Sequence, residues 1–167
     1  MVTEVRTAWD VAAEVPDPEL PMVTLADLGI LRHVEQHERG VTVTITPTYS
    51  GCPAMREISR DLRRRLRAAG FGEVTVRTSP APRWTSDWIT PAGRGKLATA
   101  GIAPPNAASR TGGGPIPLTL QPRRRAVTCP GCGADGAELT SSFSGTACKA
   151  LYRCSSCREP FEYVKEI

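Results

Sequence analysis

Apolar residues recur at Val5, Ala8, Trp9, Ala12 and Val15, the spacing of one helix face, so the chain is expected to open with an amphipathic helix. Pro16, Pro18 and Pro21 end it, because each lacks a backbone donor and clashes with the preceding turn. Thr24 to Leu28 suits one short turn ending at Gly29. Alternation then takes over. Ile30–Gln36 and Val41–Thr46 read as two strands around His37-Glu38-Arg39-Gly40, with Val41, Val43 and Ile45 on one face.

The period changes again after the loop Pro47-Thr48-Tyr49-Ser50-Gly51-Cys52. Pro53 is preorganised for a helix start, Met55, Ile58, Leu62, Leu66 and Ala69 form a stripe, and Gly70 ends it. Val74 and Val76 mark a third strand, and strand–helix–strand order predicts a crossover onto one sheet. Thr90-Pro91 is an N-cap followed by proline, so a last helix should run from there to Gly101. From Pro104 periodicity disappears into Pro104-Pro105, Gly112-Gly113-Gly114, Pro115, Pro117 and Pro122, the composition of a linker. The expected organisation is an α+β domain over residues 1–103, a linker over 104–126 and a small metal ribbon over 127–167. The first domain is a small two-layer α/β unit with a three-stranded mixed sheet.

Charge refines this division. Of the net +4, residues 1–103 contribute 13 basic and 12 acidic side chains, and residues 128–167 four and five. The excess sits in the linker, as Arg110 and Arg123-Arg124-Arg125, so neither folded part resembles a basic nucleic-acid-binding domain. No stretch is long and apolar enough to span a membrane, and Met1–Trp9 carries charges where a signal peptide needs an apolar core. A cytoplasmic location is therefore expected, which suits six cysteines kept as thiols and metal ligands.

Four of those cysteines stand as Cys129-Pro130-Gly131-Cys132 and Cys154-Ser155-Ser156-Cys157. Two residues between cysteines let one turn aim both sulfurs at one ion, and the second pair completes a tetrahedron. Four thiolates leave no open coordination position, so the site suits structural zinc, with a hairpin in the intervening gap. Cys148 lies outside this spacing and reads as a ribbon thiol or a substitute ligand.

Cys52 occupies a different setting, between Gly51 and Pro53 where strand gives way to helix. The partial positive charge of a helix start should favour its thiolate, the form that attacks electrophiles and binds iron in clusters. An inert, half-buried thiol is the alternative. Asp17-Pro18-Glu19, Asp27-Leu28-Gly29, Thr46 to Pro53 and Pro82-Arg83-Trp84 together resemble the SufT/PaaD-type family of iron–sulfur assembly factors. Trp84 to Thr90, Gly101 to Pro105, Thr146 to Cys154 and Glu159-Pro160-Phe161 resemble its PaaD branch, subunits of phenylacetyl-CoA epoxidases.

The resemblance implies a non-catalytic accessory subunit in aerobic phenylacetate breakdown, helping to assemble or deliver the iron–sulfur or di-iron centre of partner subunits. It implies a transient iron–sulfur cluster on Cys52, supported by Asp17 and Glu19, with Thr46, Thr48 and Ser50 available to bond the sulfur or cap the loop. Partners would be the other epoxidase subunits or their reductase, a homodimer is compatible, and neither nucleic acid nor membrane is expected. The di-iron centre itself is not expected here: it needs Glu-x-x-His motifs, and the chain's two histidines, His33 and His37, lie in the first hairpin. Nor is there a Gly-rich dinucleotide fingerprint. Two rivals remain open. One is a zinc-ribbon adaptor for nucleic acid or protein. The other is an enzyme using Cys52 as nucleophile, which needs a base within hydrogen-bond reach.

Overall fold

Thr7 sets the first helix. Its hydroxyl accepts the Asp10 N–H, and the Asp10 carboxylate accepts the Thr7 N–H in return, a reciprocal cap that fixes α1 as Ala8–Ala13. The computed structural model describes residues 6–106 and 126–167. The expected start at Val5 and almost all of the linker, Arg110 and Arg123-Arg124-Arg125 included, lie outside the described residues. With α1 begun at Ala8, Ala8, Val11 and Ala12 turn inward. Trp9, expected in the buried stripe, is 44% exposed because the cap rotates it outward.

Among the described residues, the first compact unit comprises 6–100 with 167. It holds β1 (Leu31–His37), β2 (Gly40–Ile45), α2 (Ala54–Ala68), β3 (Glu73–Thr78) and α3 (Pro91–Thr99). β1 and β2 form an antiparallel hairpin, and β3 returns parallel to β2, giving a mixed sheet of order β1-β2-β3. Its two layers are this sheet and the helices packed on it. Val41, Val43 and Ile45 of β2 and Ile58, Leu62 and Leu66 of α2 lie in the core, each at most 1% exposed. Ala54, Ile58, Leu62 and Leu66 recur every four residues, so one row of α2 is buried while the rest stays wet. Met55 is only half-buried and Ala69 is exposed, so the stripe is narrower than expected. α3 begins as expected, its Thr90 hydroxyl accepting from the Gly93 N–H with Pro91 in the first turn.

Two residues anchor the loops around this core. The Trp84 indole is 2% exposed and donates from Nε1 to the Leu28 carbonyl at 2.8 Å. Asp27 is buried, with Oδ2 accepting from the Thr24 N–H at 2.9 Å and from Lys96 Nζ at 2.6 Å. Burial pushes the Asp27 carboxyl up, but the bonds from Lys96 and Thr24 outweigh it and hold the group below the ordinary value of 3.8. A depressed folded pKa adds stability above the unfolded pKa, and that stability is lost as pH falls through the folded value. Asp27→Asn is therefore expected to cost about 1–3 kcal/mol at pH 7, the range for bonds to a charged group, and progressively less as pH falls below 3.8. Urea unfolding followed by tryptophan fluorescence reads this cleanly, since Trp9, Trp84 and Trp88 all belong to this unit.

Among the described residues, the second unit comprises 101–106 and 126–166. Its sheet has the order β4-β7-β6-β5, from β4 (Ile102–Ala103), β5 (Glu138–Ser141), β6 (Lys149–Arg153) and β7 (Pro160–Val164). The expected hairpin in the cysteine gap is β5–β6. Ile102 and Ala103, expected at the end of the first domain, pair in parallel with β7 and belong to this sheet. Ala103, Val127, Cys129, Cys154, Phe161 and Tyr163 make its small core. On the same sheet Lys149, 7% exposed, pairs its Nζ with Glu162 Oε2 at 2.8 Å, and the Ser144 hydroxyl donates to the other carboxylate oxygen.

Candidate metal centre and thiol loop

Cys129 and Cys154 open two turns built alike. The Gly133 N–H donates to the Cys129 carbonyl at 2.9 Å, and the Arg158 N–H to the Cys154 carbonyl at 3.1 Å. Gly133 and Arg158 each follow the second cysteine of a pair, and both are left-handed, with φ of 73° and 66°. That conformation reverses the chain just beyond each pair, so both sulfurs of a pair stay on the inside of the turn. Glycine adopts it freely, whereas at Arg158 it costs roughly 1–2 kcal/mol.

These turns bring the four expected sulfurs within 4.8 Å of one another. The Cys129–Cys157 and Cys132–Cys154 separations are 3.8 and 3.6 Å. Tetrahedral zinc with Zn–S bonds of about 2.3 Å requires sulfurs about 3.8 Å apart, so the donor set fits the ion. Cys129 and Cys154 are buried, and Cys132 and Cys157 exposed. The Cys157 N–H, against the opposing effect of burial, and the Ser156 N–H bring the Cys154 thiol down to about 6. At Cys157 a bond from the Glu159 N–H favours ionisation, but Cys154, burial, Cys132 and Cys129 push the thiol up to about 12. Crowded thiols resist collective ionisation, and a divalent cation in their midst removes that resistance. Cys148 stands apart, half-buried, with its sulfur 3.1 Å from the Thr146 hydroxyl.

The second site is the loop between β2 and α2. Cys52 N–H donates to the Tyr49 carbonyl at 3.3 Å across a turn whose third residue is Gly51 at φ 82°. That is the type II pattern, which needs a residue free to adopt positive φ. Pro53 then occupies the cap position of α2 rather than its first helical position. Around the Cys52 thiol, the Ala54 N–H and the Thr48 and Tyr49 hydroxyls favour the thiolate, while the Glu19 carboxylate opposes it.

This corrects the expected acidity of Cys52. Burial, aided by the Glu19 carboxylate, raises its thiol above the ordinary value of 9.0, outweighing the three hydrogen bonds. Thr48 is among the groups that favour the thiolate, while Thr46 is buried with an unpartnered Oγ1 and Ser50 is exposed. Tyr49 and the Ala54 N–H went unnoticed in the sequence, though Tyr49 lies three residues from the thiol. Asp17 and Glu19 divide their work. Asp17 Oδ1 accepts the Glu19 and Leu20 N–H groups at 2.9 and 2.8 Å, shaping the turn, and Glu19 is the member that acts on Cys52. Neither histidine is among the groups acting on the thiol, and both are exposed.

Residues 6–77 match the family described as iron-sulfur cluster assembly protein, and residues 114–165 match the PaaD zinc beta ribbon domain. Over 97% of its length the chain is 43% identical to an Escherichia coli (strain K12) protein, covering 93% of it. The chain belongs to the PaaD family. The name of that relative describes it, provisionally, as one of the subunits of 1,2-phenylacetyl-CoA epoxidase. A Porphyromonas gingivalis protein named Fe-S protein maturation auxiliary factor is 36% identical over 46% of this chain and 73% of its own. Among solved structures, a DUF59 domain of unknown function from Bacillus anthracis is 26% identical with a TM-score of 0.50, covering 54% of this chain and 87% of that one. The PaaD-type ribbon is thus joined to an assembly-type α/β domain, as the motifs implied. Among the described residues no helix is long and apolar enough to cross a membrane.

Proposed function

We propose that this PaaD-family protein is a non-catalytic accessory subunit of a phenylacetyl-CoA epoxidase, helping to assemble or deliver the iron–sulfur or di-iron centre of its partner subunits. The observation that carries the reading is Cys52: a half-buried thiol with three hydrogen-bond donors and Glu19 beside it, in a domain of the iron–sulfur assembly family. A thiol held protonated at neutral pH is a poor permanent ligand, but an incoming soft metal displaces the proton, and the sulfur can reprotonate when the metal leaves. Iron–sulfur clusters take four thiolates as a rule, so one Cys52 leaves positions for a client protein or a second copy to fill. That asymmetry suits transfer. Asp17 shapes the turn that presents Glu19, and the ribbon cysteines hold zinc in a purely structural site.

Replacing Cys52 with serine keeps the loop's shape and removes the soft ligand. Stability should move by less than about 1 kcal/mol, as for a substitution away from the core. Iron per epoxidase complex, purified from cells carrying wild-type or Cys52→Ser protein, is expected to drop severalfold in the variant, and growth on phenylacetate to fail. Equal iron and equal growth would refute a transfer role for this thiol.

A further inference from the structure

We infer that the outer face of α2 is a docking surface for an acidic helix on the client protein. The inference deepens the accessory reading, on which it rests, by giving the client a seat beside Cys52. It starts from where the arginines of α2 fall. Arg56, Arg60, Arg63 and Arg67 are all exposed, and their spacing of four, three and four residues places them in one row. At 100° per residue this row lies about 150° around the helix from the buried row of Ala54, Ile58, Leu62 and Leu66. It is therefore held facing solvent by the packing of the opposite face. Arg65, a neighbour of the row in sequence, falls beside the buried row instead, and its Nε is buried without a partner.

Neutralisation along this row is incomplete. Glu57 pairs with Arg60 and Asp61 with Arg64, while Arg56, Arg63 and Arg67 have no ion pair among the described residues. These three guanidinium groups concentrate positive charge along one ridge of a unit whose overall charge nearly cancels. The row extends over about 16 Å at 1.5 Å per residue, with side chains roughly one helical turn apart. A partner helix carrying carboxylates at the same four-three-four spacing would meet each arginine with its own acceptor, in the bidentate geometry guanidinium favours.

Nucleic acid fits less well. Glu57 and Asp61 flank the row along one side and would repel a continuous phosphate backbone, and the exposed face offers no aromatic ring for a base to stack on. The near end of the row gives docking its use. Arg56 is four residues beyond Cys52, so a helix seated on the row brings its protein's surface within one turn of the thiol.

Fluorescence anisotropy with three probes tests the surface: a 20-residue helical peptide with glutamates in the four-three-four pattern, a scrambled peptide of equal charge, and a 20-base-pair DNA duplex. Purified epoxidase complex is the fourth partner, assayed by co-elution. Arg56→Gln/Arg63→Gln/Arg67→Gln keeps helix propensity and removes the unpaired charges, and Arg39→Gln/Arg77→Gln serves as a control on the hairpin and β3. Wild-type and control proteins are expected to prefer the patterned peptide over the scrambled one, with the triple variant losing at least tenfold in affinity and losing co-elution. Cys52→Ser should dock as wild type does, so the two readings fail separately. Unchanged iron in Cys52→Ser refutes only the cluster role. Equal peptide binding by wild type and triple variant, no preference between peptides, or tighter binding of the duplex would each overturn the docking surface alone.

Discussion

Serine at Cys129 or at Cys154 is expected to release the ribbon's zinc and to open residues 127–167 to protease while residues 6–100 stay resistant. The reason is the size of the second unit's core. The cluster around the cysteines consists of Ala103, Val127, Phe161, Tyr163 and the two buried cysteines themselves, with Ala134, Ala137 and Tyr152 packed at its side, and Ile102, Ala150 and Val164 are the unit's other buried apolar residues. So few apolar residues cannot offset the ordering of some forty residues, so the metal must contribute most of the remainder, roughly 10–16 kcal/mol in small zinc-binding peptides. Each buried cysteine also belongs to that core, so its replacement places a hydroxyl among apolar groups. The first unit has a separate core of Val41, Val43, Ile45, Ile58, Leu62 and Leu66 and should report an unchanged tryptophan signal. Metal analysis combined with limited proteolysis checks both halves of the statement. A metal-free variant with a protected ribbon would contradict it.

Trp84 carries the next largest expectation. Truncating so large a buried side chain, Trp84→Ala, is expected to destabilise the first unit by about 3–5 kcal/mol. Trp84→Phe fills most of the space but leaves the Leu28 carbonyl without its donor, costing about 1–3 kcal/mol. Urea unfolding separates the two substitutions. The order Ala worse than Phe worse than wild type identifies a packing residue, whereas a surface residue awaiting a partner would leave all three curves superimposed. At 2% exposure Trp84 is a packed ring and not a binding hot spot. Trp88 is half-buried under the Arg32 guanidinium, whose carbon lies 3.6 Å from the ring centre.

The features legible in the sequence share one property: their cause is local. Two Cys-x-x-Cys pairs aim four sulfurs through turns of a few residues. α2 shows itself through a period of four, and α3 through Thr90-Pro91. What escaped depends on distant parts of the chain. Cys52 was expected to ionise readily because the start of α2 adjoins it, but burial by the folded unit and Glu19, 33 positions earlier, set the balance. Ile102 and Ala103 look like the tail of a helix region until β7, some sixty residues later, supplies their partner. Trp9 failed for the opposite reason. The cue was at hand in Thr7 and Asp10, but an apolar stripe counted from Val5 concealed the cap.

The uneven exposure of the ribbon cysteines separates how tightly an ion is held from how quickly it can be exchanged. Affinity depends on all four sulfurs. Exchange proceeds one bond at a time, and a competing ligand reaches Cys132 and Cys157 while Cys129 and Cys154 remain shielded. With zinc bound, a chelator's donor atom can therefore approach the ion from the side of the exposed Cys132 and Cys157 and displace one of those thiolates, without waiting for the ribbon to unfold. Zinc loss should then accelerate in proportion to chelator concentration, and the ribbon's lifetime as a folded unit would depend on the surrounding metal-buffering capacity as well as on its own binding constant.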